Sequence, residues 1–176
     1  DLSQPRFLSQ FECLLSDFDV TVFVLNSSQL LNEHATSLKL KVYEAVEEMP
    51  GYIRGLEDEL EGYDLIVGLE SSRLTTFQAV RAARKLDKPL GVIINEFHPF
   101  FYESYVNIRA VQFDVHSKAD RFWPTSQLAA ENLQIDHVDK EHMRVLSPMI
   151  DTDRFSEDPK LRDKFRRYVK LDANDF

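Results

Sequence analysis

The stretch Tyr63-Asp-Leu-Ile-Val-Gly-Leu69, then Glu70-Ser-Ser-Arg73, then a run to Leu86, then Pro89-Leu-Gly-Val-Ile-Ile94 decides the fold. Its two apolar runs are short and end in polar loops, as buried strands do. Between them, residues 75–86 repeat at helical spacing, with Phe77, Val80 and Ala83 on one side and Arg81, Arg84 and Lys85 on the other. The second run is apolar on both faces, which marks a strand covered above and below. Strand, helix and strand at this spacing make a parallel crossover unit.

Working outward, the same alternation continues. Residues 20–25 read as a buried strand and residues 38–43 as a half-exposed one, because Leu38-Lys-Leu-Lys-Val-Tyr43 alternates strictly. An acidic helix is predicted after Pro50-Gly51, ending near Gly62. A longer helix is predicted over residues 100–118, a strand over 121–125, a helix over 127–133 capped by Thr125 or Ser126, and a last strand over 143–146. Pro159 opens a final helix reaching about Val169. The expected class is α/β, with a doubly wound, mainly parallel sheet and helices on both faces. A helical pattern at Phe7, Phe11, Leu14 and Leu15 precedes the first strand. In such folds a strand is expected ahead of that helix, so the pattern lacks its first strand.

Composition limits the chemistry. The chain has 176 residues, 43% hydrophobic and 29% charged, with 21 Lys plus Arg against 30 Asp plus Glu and a formal net charge of −9. That balance argues against nonspecific nucleic-acid binding, which depends on neutralising phosphates. Eight acids and one base, Arg54, fall between residues 44 and 64, the pattern of a solvated helix face. The five glycines stand at 51, 55, 62, 68 and 91, so neither a dinucleotide fingerprint nor a phosphate-binding P-loop can be assembled. Cys13, the single cysteine, lies in a helical pattern and is expected as a small buried hydrophobe. No apolar run approaches the ~18 residues of a membrane span, and no signal peptide is present, so the cytoplasm is the expected address. Attachment to a membrane surface through residues outside this chain stays open.

In open parallel sheets, ligands bind at the carboxyl ends of the strands. That rule selects Glu70-Ser71-Ser72-Arg73, Asn95-Glu96-Phe97-His98, Thr125-Ser126 and Ser147-Pro148. Glu70 and Glu96 are expected at the tips of successive strands, near enough to share a ligand hydroxyl; the alternative is that each caps a nearby helix. His98 precedes Pro99-Phe-Phe-Tyr102 and is either a packed loop residue or part of an aromatic carbohydrate platform. His137 and His142 are five residues apart and flanked by Asp136, Asp139 and Glu141, which suggests a solvated loop rather than a zinc pair. His34 and His116 have no partner in sequence. Gly68-Leu-Glu-Ser-Ser72 does not have the glycine spacing of a nucleophile elbow, which argues against a serine hydrolase.

Three segments in register carry a family resemblance. The run from Glu70 to Pro89, with Gln78-Ala79 and Ala82-Ala-Arg84 before Lys88-Pro89, resembles a segment of family 4 GT-B glycosyltransferases. Ala119-Asp-Arg-Phe-Trp-Pro-Thr-Ser-Gln-Leu-Ala-Ala-Glu-Asn-Leu133 resembles the same family's strand, serine and helix passage. Met143-Arg-Val-Leu-Ser-Pro-Met-Ile-Asp-Thr-Asp-Arg-Phe155 is similar to its Asn-Gly-Val-Asp-Thr-Glu-Arg-Phe ending, with Pro148-Met149 in place of Asn-Gly. Many members carry a histidine where this chain has Asn95-Glu96.

The resemblance implies the amino-terminal, acceptor-side half of a two-domain enzyme. Residues 1–155 would form the Rossmann-like acceptor-binding domain, and residues 156–176 a helix leading toward a carboxyl-terminal nucleotide-sugar domain with a paired-glutamate motif. The implied reaction passes a glycosyl group from a nucleotide sugar to an acceptor hydroxyl of a glycan or glycoconjugate, with retention. It requires no resident cofactor and no essential metal, the nucleotide sugar being a substrate. Glu96 and His98 are the implied catalytic candidates, and Glu70, Ser71, Arg73 and Ser126 the implied acceptor ligands. The partners would be a sugar or glycoconjugate acceptor and the chain's own second domain. The competing reading is a non-catalytic Rossmann-like module that recognises a ligand or protein through the acidic 44–64 segment or the aromatic residues 100–105. A reading frame continuing for another ~150–200 residues, a domain's worth, would favour the enzyme.

Overall fold

The computed structural model describes residues 11–25, 37–44, 46–147 and 157–171. In chain order the elements are β1 (Thr21–Leu25), β2 (Lys39–Tyr43), α1 (Leu56–Glu59), β3 (Ile66–Leu69), α2 (Leu74–Leu86), β4 (Leu90–Ile94), α3 (Val106–Lys118), β5 (Arg121–Pro124), α4 (Gln127–Ile135) and α5 (Pro159–Tyr168). A 3-10 turn at Leu60–Gly62 extends α1. Every strand pair is parallel, giving a Rossmann-like α/β fold. β1 pairs with β2, and β3, β4 and β5 form a second ladder in that order, with Val67, Gly91 and Arg121 aligned across it.

The apolar run of residues 90–94 becomes the central strand, and every one of its residues is buried. On one face of the ladder Ile66, Val92, Ile94 and Phe122 meet Val80, Ala83, Val115, Ala129 and Leu133 from the helices in one core, which also takes in Ile53, Leu56 and Leu60. The crossovers from β3 to β4 and from β4 to β5 place α2 beside α3 on this face, the outcome of right-handed connections. On the opposite face the Trp123 ring lies back over Gly91. A Cβ at Gly91 would come within 2.1 Å of Cζ3 of that ring, so only glycine admits it.

Local chemistry fixes the element ends. Asp87 closes α2 in the left-handed region, φ 52°, while the Lys88 amide bonds back to the Ala83 carbonyl at 2.9 Å. Asp120 holds the start of β4 by accepting from the Leu90 amide at 2.8 Å. The buried Gln78 side chain pairs with both backbone groups of Ile53, at 2.9 and 2.7 Å, and so ties the loop before α1 to α2. Gln78, quoted above within the family-like segment, thus has a structural task. The two-stranded ladder joins the rest through Phe23, Leu25 and Tyr43, which pack on the core, and through Lys41 with Glu59 at 2.5 Å.

Several expectations shift. Helix α3 begins at Val106 rather than at 100, because Phe100 adopts φ 62° and residues 100–105 form successive turns. Residues 143–146 run beside β5 with a single bridge, Phe122 to Met143, instead of forming a strand. The carbonyls of Phe122 and Pro124 accept from Arg144 and Leu146, but Pro124 has no N–H to return, so the ladder stays incomplete. Cys13 is exposed rather than buried, since the 3-10 turn at Cys13–Ser16 buries none of its residues. Phe7, His34, Pro148, Met149 and the rest of the segment to Phe155 lie outside the described residues except Ser147, which is exposed. No helix among the described residues is long and apolar enough to cross a membrane.

Candidate functional site

The carboxyl ends of β3, β4 and β5 bring three polar loops together. Glu70 follows β3 with φ 59°, a left-handed turn that swings its side chain across to the end of β4. Its carboxylate accepts from the Asn95 backbone amide at 3.1 Å and from Asn95 Nδ2 at 2.6 Å. The Thr125 hydroxyl beyond β5 donates to Asn95 Oδ1 at 2.8 Å. One hydrogen-bonded row, Glu70–Asn95–Thr125, therefore spans the tips of three adjacent strands. Burial raises the Glu70 pKa above the ordinary carboxylate value, against the lowering pull of the Asn95 side-chain bond, and the nearby Glu96 charge adds to the rise.

Glu96 is held from the other side. Ser71 Oγ donates to Oε2 at 2.9 Å, the Ser72 hydroxyl donates to Oε1, and Gln112 Nε2 of α3 donates to Oε2 at 3.2 Å. Asn132 of α4 donates to the Glu96 carbonyl at 3.2 Å. Neither glutamate caps a helix: the partners of Glu96 are hydroxyls and an amide side chain, and Glu70 bonds to a loop. Ser71 is wholly buried, so in this arrangement it fixes Glu96 and does not face solvent. Ser126 caps α4, accepting from the Ala129 amide at 3.1 Å, which leaves its own hydroxyl proton to donate. Arg73 is exposed at the N-cap position of α2.

Beside Glu96 lies a shallow cleft, open to solvent. Glu96, Gln112, Asn132 and Asp136 contribute polar groups to it, while His98, Phe100, Phe101 and Tyr102 contribute rings. His98 is exposed, its ring 4.4 Å from that of Phe97 and 6.5 Å from that of Phe101. Arg109 of α3 grips Asp136 with two bonds, at 2.8 and 2.6 Å, and reaches Glu103 at 3.2 Å. Hydrogen bonding to Asp136 raises the Arg109 pKa further.

Asp136 is thus a half-buried ion-pair partner, where the sequence reading gave it to a solvated loop; His137 and His142 are exposed as expected. His116 stands behind this pair, Nδ1 3.6 Å from Asp136, and its Nε2 is buried with no hydrogen-bond partner among the described residues. Burial lowers its pKa despite the opposing pull of Asp136 and Glu96.

Sequence reasoning missed Gln112, Arg109, Asp136 and Asn132. Gln112 did leave a trace, falling on the helical face of Ile108 and Val115, where an amide needs a buried partner. Arg109 and Asp136 are 27 residues apart, and nothing local signals their pairing.

The fold and this edge define a Rossmann-like α/β architecture, and in open parallel sheets of this kind ligands bind beyond the strand ends. No known family profile and no curated protein matches the sequence. Solved structures do match the fold. The Anabaena protein HepE, in complex with UDP and glucose, superposes with a TM-score of 0.72 at 14% identity, over 95% of this chain and 48% of that one. HepE in complex with UDP-glucose gives 0.60 at 14% identity, over 76% and 36%. A Listeria monocytogenes protein assigned as a UDP-N-acetylglucosamine 2-epimerase gives 0.63 at 16% identity, over 92% and 47%. The chain spans half the length of these proteins or less.

Proposed function

We propose that this chain is the acceptor-side half of a GT-B glycosyltransferase, one that passes a sugar from a nucleotide-sugar donor to an acceptor hydroxyl. The observation that carries the reading is the convergence of Glu70, Asn95, Glu96 and Thr125 at the carboxyl ends of adjacent parallel strands. The likeness in fold to HepE, a protein solved with UDP and glucose, supports it. In this reading Glu96 receives the hydrogen bond, and then the proton, of the acceptor hydroxyl as the bond to the donor sugar forms. Ser71, Ser72 and Gln112 keep that carboxylate in place, a positioning task of the kind that preorganised sites require. Glu70 and Asn95 hold a second acceptor hydroxyl, Ser126 donates from the start of α4, His98 stands at the cleft, and Arg73 offers a charge from the start of α2. The departing diphosphate needs positive charge or helix N-termini, and these would come mainly from a second domain.

The test is Glu96→Gln in the full-length protein. Transfer to acceptor should fall by about 100-fold, the scale of a lost general base, while nucleotide binding by calorimetry stays intact. Unchanged turnover would remove Glu96 from the chemistry. Conversion of a UDP-sugar without any acceptor would point to an epimerase, and binding without turnover to a recognition module.

A further inference from the structure

The cleft beside Glu96 has a composition that the transfer reading does not explain. His98, Phe101 and Tyr102 line it, in a train of rings that continues beyond it at both ends: Phe97 to His98 at 4.4 Å, His98 to Phe101 at 6.5 Å, Phe101 to Tyr102 at 4.9 Å and Tyr102 to Tyr105 at 6.4 Å. Three of these rings, Phe97, Phe101 and Tyr105, are exposed, as is the adjoining Phe100, with Phe101 at 62%. Rings left in water at this density mark a binding surface, since monomers seldom tolerate such patches. Phe100 is held at φ 62°, an outlier for a bulky residue and a sign that the loop is constrained to present its rings.

The floor of the same cleft is polar and acidic. Glu96, Glu103 and Asp136 face one guanidinium, Arg109, which is already engaged by both Asp136 and Glu103. Three carboxylates against one paired cation repel anions, so a diphosphate or a phosphorylated lipid head would be disfavoured. A lipid chain fits no better, because the Glu96 and Glu103 carboxylates would lose solvation without gaining partners. An uncharged pyranose meets both demands. Its C–H face covers a ring, and its hydroxyls donate to carboxylates and accept from amides.

We propose that the acceptor is a neutral saccharide whose sugar ring stacks on the Phe97–Tyr105 aromatic rim, chiefly on Phe101, with its hydroxyls turned to Glu96. The assignment rests on the transfer reading for the word acceptor, but the platform itself stands on the rings and the charge of the floor.

The experiment uses an array of neutral di- to tetrasaccharides printed beside sialylated and sulfated ones, probed with the full-length protein and with Phe101→Ala and Phe101→Trp. The neutral glycan bound most strongly is then followed by calorimetry. Expected are binding confined to neutral glycans, about tenfold weaker affinity for Phe101→Ala, and retention of affinity by Phe101→Trp, which keeps a ring. Phe101 is exposed, and an unchanged thermal melt of the alanine variant shows that the loss is not one of folding. Preference for the anionic glycans, no neutral glycan above background, or equal affinity of Phe101→Ala and the parent would each overturn the proposal. UDP-sugar turnover separates the two readings. Turnover with an acceptor KM indifferent to Phe101→Ala overturns the platform and leaves the transferase. Ring-dependent glycan binding with no turnover leaves the platform as a recognition site and overturns the transferase.

Discussion

Glu70 shows how the place of one side chain in the fold can be legible while its partners are not. Its place at the end of a strand follows from the apolar run before it, and the tip rule then puts a carboxylate at the ligand edge. Its partner does not follow, because the bond to Asn95 crosses between strands and depends on the left-handed turn at φ 59°. Its titration follows from that burial. A carboxyl with a raised folded pKa holds its proton longer than the unfolded chain does, so its contribution to stability is full below about pH 4.5 and lost as pH climbs through the folded value. Glu70→Gln removes the penalty of ionising there. The stability of the variant relative to the parent should therefore increase as pH is raised from 4 to 7, read by urea unfolding at each pH. A difference that is flat or falls with pH would contradict the desolvation. Gln78 teaches the converse: a residue inside a family-like segment turns out to brace Ile53, far from any ligand role.

At the scale of elements, the close fit of Trp123 on Gly91 joins β5 to β4 through a side chain as well as through the ladder. Gly91→Ala would place a Cβ within 2.1 Å of the indole ring, and the ring has to move. Overpacking of this sort costs about 1–3 kcal/mol, measurable as a lower urea midpoint, and Trp123→Leu should relieve part of it when combined. Ser126→Ala removes the bond to the Ala129 amide and should cost about 1 kcal/mol, as cap deletions do. Strand β4 and helix α2 were readable to within two residues at either end, and β3 to within three, because their periodicities are strong and their ends carry Gly, Pro or charged residues. The start of α3 was not, since 100–105 is apolar and aromatic and helical spacing alone cannot reveal the reversal at Phe100. The segment 143–146 was overread for a related reason: whether it pairs depends on Pro124 in the neighbouring strand.

Across the whole molecule, Arg109 and Asp136 tie α3 to the end of α4, and His116 rests against them. Arg109→Met leaves Asp136 without its two strongest donors and should cost about 2 kcal/mol of stability, the range for hydrogen bonds to charged groups. The same variant should raise the His116 pKa, because the guanidinium charge that opposes protonation is gone; an imidazole titration by NMR reads this. In the parent protein, burial keeps the folded His116 pKa below its unfolded value near 6.5. The unfolded chain then binds the extra proton, so stability present at neutral pH is lost as pH drops below about 6.5. His116→Gln should flatten that part of the stability profile, and a profile unchanged by the substitution would contradict the burial of a neutral imidazole.

The sequence by itself determined the class of fold and which loops stand at the carboxyl ends of its strands. Both rest on local physics: the 2.0 and 3.6 periodicities of burial, and a chain direction that puts every loop after a parallel strand on one side. It therefore delivered Glu70, Glu96, Thr125 and Ser126 to the carboxyl end of the sheet. Only the tertiary structure decided what these residues do there. Ser71 and Gln112 clamp Glu96, Asn95 links Glu70 to Thr125, and Arg109 gathers two acids beside an aromatic rim. These partners are separated by 6 to 41 residues and are joined by hydrogen bonds whose strength depends on ångström distances and exclusion of water. No periodicity in a chain encodes such distances; they exist only once the helices have packed on the sheet.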